Sequence, residues 1–184
     1  MWGVFVRLGL VAAALVAATG ADAQSRNRRN EPKEVDRPPP PPTADKRDSV
    51  VVGAGAFSGR PYWLALAQCG GTYFKLNIFY ADLAAHARAV KPDPKATTEY
   101  TKKLTDAIKV ATTYFNGAEH FLMTDRGMER TDAVLTYDPQ SRAAGDRVKS
   151  IDAGLSAAQA CPALYQACRA AYPKACSETL PPTS

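Results

Sequence analysis

The chain has 184 residues, 46% of them hydrophobic and 22% charged, with a net charge of +5. That length suits one domain with tails, and the apolar fraction is ordinary for a chain with a packed core. Acidic residues lie among the basic ones along every helical stretch, so the balance describes a solvated surface and excludes a nucleic-acid footprint.

Met1–Ala23 reads as an export signal. Arg7 supplies the positive start, Leu8 to Ala18 is an uninterrupted apolar run, and Ala21-Asp22-Ala23 offers a small-x-small cleavage site before Gln24. The run is about half the ~20 residues a helix needs to span a bilayer. Arg26, Arg28 and Arg29 follow at once, and basic residues there resist translocation. They leave two routes to a membrane, an uncleaved N-terminus or attraction of the Arg26–Arg29 cluster to anionic lipid or wall polymer. Residues 24–57 are expected to form a disordered, proline-rich linker, with Pro38 to Pro42 as a stiff polyproline spacer. Within it, Val50 to Gly59 imitates a strand entering a Gly-x-Gly dinucleotide loop. No second strand follows to complete that motif, so a flexible lead-in with Phe57 against the first helix is expected.

Residues 58–178 read as a helical bundle, and 179–184 as a disordered tail. Tyr62, Leu66, Cys69, Tyr73, Leu76, Tyr80, Leu83, Ala87 and Val90 step by three and four along a first helix, with Trp63, Phe74 and Ile78 widening the stripe. Ser58 is the expected N-cap, with Pro61 in the first turn. Gly70-Gly71 costs roughly 1 kcal/mol per glycine in helix propensity, so another helix should come close there, or the helix should kink. A second helix is expected from Asp93 or Pro94 to Arg126-Gly127, with Tyr100, Leu104, Ala107, Ala111, Tyr114, Ala118 and Phe121 facing inward. A short helix from Met128 to Tyr137 should end before Asp138-Pro139. Asp138 should then cap a third long helix, burying Ala144, Val148, Ile151, Leu155 and Ala158, with a break or kink at Cys161-Pro162. A last helix carries Cys161, Tyr165, Cys168 and Tyr172 on one face. Short connections make sequence neighbours antiparallel. The fold class is all-α: an up-and-down antiparallel bundle of about four helices.

An even number of cysteines in an exported chain implies disulfides. Cys161 and Cys168 would lie ~10 Å apart on one helix, beyond bridging reach. Cys168 and Cys176 flank Tyr172-Pro173, where the chain can fold back. The favoured pairing is therefore Cys69–Cys161 with Cys168–Cys176, ahead of Cys69–Cys168 with Cys161–Cys176. No two cysteines are close enough for the usual structural zinc pair.

Chemistry has few footholds. His86 and His120 are the chain's two histidines, Glu119 and His120 point apart on a helix, and neither a covalent-haem motif nor a nucleophile elbow is present. No catalytic, cofactor-binding or metal residue is assigned. Tyrosines lining a bundle could meet a small apolar ligand, so Tyr73, Tyr80, Tyr114 and His120 are the candidate ligand or partner contacts. The expected function is a non-enzymatic, periplasmic or secreted protein that binds an envelope protein or cell-wall polymer, or scaffolds one. A carrier of a small apolar ligand or haem is the alternative, and an enzyme with an unrecognised site the second.

Overall fold

The computed structural model describes Asp48, residues 50–90 and residues 92–177. The export signal, the basic cluster, the proline run and the C-terminal tail lie outside the described residues. Five helices follow in order: α1 (Tyr62–Ala89), α2 (Pro94–Arg126), α3 (Arg130–Arg147), α4 (Ile151–Ala158) and α5 (Cys161–Ala171). They make four rods, because the backbone stays in the right-handed region through Gln159 and Ala160, and α4 runs on into α5 past a kink before Pro162. The all-helical bundle is as expected. No strand is present among the described residues beyond an isolated bridge between Val51 and Pro61.

α1 is the central rod. Tyr62 through Ala67 and Cys69 through Tyr73 are all buried. α2 runs antiparallel to it, since Tyr62 meets Phe121, Tyr73 meets Tyr114, and Asn77 donates to the Leu104 carbonyl at 3.0 Å. α3 runs antiparallel to α2, with Phe115 stacked on Tyr137 and Glu119 paired to Arg130 at 2.9 Å. The α4–α5 rod returns along α1, from Gly154 against Leu76 to Tyr172 against Tyr62.

The glycine pair has the first of its two expected meanings. Gly70 lies under the Phe115 ring of α2, and a Cβ on Gly71 would collide with the Ser141 carbonyl of α3. Two helices reach the backbone of α1 at adjacent residues because neither residue carries a side chain. The disulfides pair Cys69 with Cys161 and Cys168 with Cys176, with Cα–Cα distances of 5.8 and 5.9 Å. The first closes 92 residues, which the chain-entropy model makes worth about 4–5 kcal/mol. It bolts the kink of α4–α5 onto α1. The second folds the chain after Tyr172 back onto α2, where Cys176 Sγ lies beside Gly117.

Several local expectations are corrected. Pro61 occupies the α1 N-cap, and the Ser58 hydroxyl donates instead to the Gly53 carbonyl at 3.2 Å. Asp138-Pro139 does not break a helix: Pro139 lies inside α3. It is exposed, as is Leu135 one turn earlier, so water can satisfy the carbonyl that proline leaves unbonded. Asp138 is mid-helix, accepting from Arg142 Nε at 2.7 Å. The break falls at Val148–Ser150, where the Ser150 hydroxyl accepts from the Ala153 amide and starts α4. That break re-phases the helix, so Gly154 and Ala158 face inward while Leu155 is 49% exposed. Phe74, Ile78 and Val90 are exposed as well. The packed chain also includes Val50–Phe57, which the sequence placed in the linker: Val52 exchanges backbone hydrogen bonds with Gly59 and Arg60, and its side chain is buried.

Gly71→Ala tests which effect governs α1. Propensity alone favours alanine by about 1 kcal/mol, but the collision with Ser141 should dominate. A net loss of about 2–3 kcal/mol in urea unfolding is expected, against a small effect at Gly53, where a Cβ meets open space.

Candidate functional site

A concavity shared by five segments lies above the Cys69–Cys161 bridge, with a volume of about 170 Å³. The strap before α1 supplies Phe57 and Arg60; α1 supplies Gln68 and Thr72; the end of α3 supplies Arg147; α4 supplies Ala153 and Ala157. The glycine-rich stretch that imitates a nucleotide loop is what builds the strap. Gly55 and Gly59 take positive φ values of 90° and 77°, which let the chain turn back so that Val52 NH donates to the Arg60 carbonyl and Gly59 NH to the Val52 carbonyl. The turn aims Arg60 along the groove. Its guanidinium lies over the Phe57 ring at 5.6 Å, and Nη1 donates to Gln68 Oε1 at 2.6 Å.

The polar groups of this groove are nearly all donors. With Gln68 Oε1 taken by Arg60, the amide presents its NH2 group; the exception is the Thr72 hydroxyl, whose proton goes to the Gln68 main-chain carbonyl at 3.1 Å and which keeps only acceptor lone pairs. Arg147 also lines the groove and is exposed. Among the described residues no carboxylate lines it. Its floor is methyl groups and the disulfide.

A second polar cluster anchors the strap. Asp48 accepts from Arg126 Nε and Nη2, both at 2.8 Å, and from Trp63 Nε1 at 3.2 Å. The guanidinium lies 5.0 Å from the centre of the Trp63 ring. The Asp48 and Arg126 side chains are only 1% and 8% exposed, in contrast with the i,i+4 pairs of α2, Glu99–Lys103 and Asp106–Lys102, which face solvent and contribute little. The sequence reading missed this cluster. Asp48 sat among the linker's mixed charges and Arg126 was a last-turn cation, and nothing in spacing connects residues 78 apart.

The four residues picked as ligand contacts are not gathered around one space. Tyr73 stacks on Tyr114 at 5.7 Å, and Tyr114 meets Tyr165 edge-on at 5.5 Å. A second triad, Tyr62, Phe121 and Tyr172, again draws one ring each from α1, α2 and the chain after α5, at 5.5–5.6 Å. Tyr80 lies apart under Lys103, and His120 lies edge-on to Phe121. His86 is exposed. Among the described residues no three metal-ligating side chains come together. The Tyr114 hydroxyl is fully buried without a hydrogen-bond partner. Burial, then the neighbouring Tyr73 and Tyr165, push its pKa far above the ordinary value of 10.0, and burial raises Tyr73 in the same direction.

Two predictions follow from these clusters. Arg126→Met removes the two charge-assisted hydrogen bonds that Arg126 gives the buried Asp48 carboxylate and should cost about 3–5 kcal/mol, while the Asp48→Asn/Arg126→Met double variant should lose less than the single one; a urea double-mutant cycle reads both. Tyr114→Phe removes an unsatisfied hydroxyl and should leave stability at pH 7 unchanged or higher by about 1 kcal/mol. A tyrosine whose folded pKa is raised stabilises the fold in full below pH ~10, and that share is lost as pH rises because the unfolded chain ionises first. The wild-type chain should therefore lose about 1.4 kcal/mol per pH unit per such tyrosine above pH ~10, and Tyr114→Phe should lose one share less, measured by denaturation between pH 9 and 11. In comparison with known proteins, the chain matches no family model, no curated protein and no solved structure.

Proposed function

We propose that this chain is an exported protein of the periplasm or the extracellular space that works by binding, not catalysis, with a helical bundle presented on the proline-rich segment before it. The observation that carries the reading is that all four cysteines are consumed in two bridges within the chain, one of them spanning the bundle. Disulfides persist in oxidising compartments, and the signal-like Met1–Ala23 supplies the route there. No described helix is long and apolar enough to cross a membrane. Contacting rings fill the interior between α1, α2 and α5, which favours a surface site over a ligand carried inside. An envelope protein or wall polymer is the proposed partner class.

The test is expression of the full chain in a Gram-negative host. The mature mass should begin at Gln24, the protein should leave the cytoplasm, and a thiol-reactive probe should label no cysteine in the denatured chain until it is reduced, then all four. A cytoplasmic protein whose four thiols label without reduction would overturn the reading.

A further inference from the structure

We propose that the groove above the Cys69–Cys161 bridge binds a small carboxylate with a short apolar body, held between Arg60 and Arg147. The proposal rests on the binding role above and names its site and ligand class.

Three observations converge on it. Among the described residues that line the groove, the charged ones are both cationic, Arg60 from the strap and Arg147 from α3, with Gln68 adding an amide NH2 and no carboxylate beside them. A guanidinium pair with no anion is an electrostatic vacancy for one, and charge-assisted hydrogen bonds to carboxylate are about twice as strong as neutral ones. Arg60 is also pre-positioned, by the Phe57 ring on one side and the Gln68 carbonyl oxygen of the side chain on the other. A held side chain loses less entropy when a ligand arrives. Finally, the floor is the apolar bridge, and Ala153 and Ala157, exposed on α4, border it where larger residues would fill the space. Such a floor suits a few methylenes and gives nothing to a bare inorganic anion.

The oxidised full chain is titrated with butanoate, acetate, butan-1-ol and inorganic phosphate, following heat and backbone amide shifts. Saturable binding of butanoate is expected, with shifts at Cys69, Ala153 and Ala157; acetate should bind several-fold more weakly and butan-1-ol should not bind. Arg147→Glu and Arg60→Glu should each weaken butanoate at least about tenfold. Ala157→Leu, at an exposed helix position, keeps both charges and should block binding by filling the floor. Phosphate binding as tight as butanoate, equal binding of butan-1-ol, no saturable binding at all, or indifference to Arg147→Glu in a folded variant would each overturn the proposal. Export and thiol pairing are read separately, so failure here with those results intact removes the ligand and leaves the exported bundle.

Discussion

The bundle depends on α1 offering almost no side chain over Cys69-Gly70-Gly71. One rod touching four other helices must present backbone somewhere, because large side chains on every face would hold the neighbours 8–10 Å away. At Gly70 the aromatic edge of α2 reaches the backbone of α1, and one residue later the Ser141 carbonyl of α3 does the same. Gly145 completes the contact from the other side, packing on the Gly71 carbonyl. The propensity lost at two glycines is small beside the contacts that close approach allows. Cys69, immediately before them, turns toward the third neighbour and is bonded to it.

That placement has a consequence at the surface. α4 is short, kinked into α5 and rich in alanine, and it covers α1 mainly through Gly154, Leu76 and the bridge. Small residues bring it near the core but leave the space above Ala153 and Ala157 unfilled. The groove is thus the outward side of the same economy that lets the helices approach. The strap completes its rim, and the strap holds its shape through Val52 and the two left-handed glycines.

Much of this was legible in the sequence, for identifiable reasons. α1 and α2 carry long unbroken stripes of apolar residues, and Asp93 and Gly127 end α2 as their chemistry dictates: Asp93 accepts from the Ala96 amide, and Gly127 takes a φ of 62°. The cysteine pairing followed from reach along a helix. The second half was harder because its signals are local and ambiguous. Pro139 reads as a stop only if its side of the helix is buried, and it is not. The real break at Val148–Ser150 contains no proline or glycine, so only the Ser150 cap marks it. Phe74 and Ile78 fit the stripe of α1 by period, yet no neighbouring rod covers them. The candidate groove was not legible, since its residues come from five segments and share no spacing.

The tyrosines show how residue type alone suggests a lined pocket where the fold packs ring on ring. Large rings at seam positions suggest a lined pocket when the helices are imagined as straight and evenly spaced. In the folded chain Gly70 lets α2 come close, and the Cys168–Cys176 bridge draws the chain after α5 against Gly117. The rings then meet one another at 5.5–5.7 Å instead of a ligand. Among the described residues the cost of that closure falls on the Tyr114 hydroxyl, buried with no hydrogen-bond partner. A phenol left so is worth its ring's burial minus the loss of its hydration, and the balance stays favourable because the stacked ring excludes far more apolar surface than a single hydroxyl costs to desolvate.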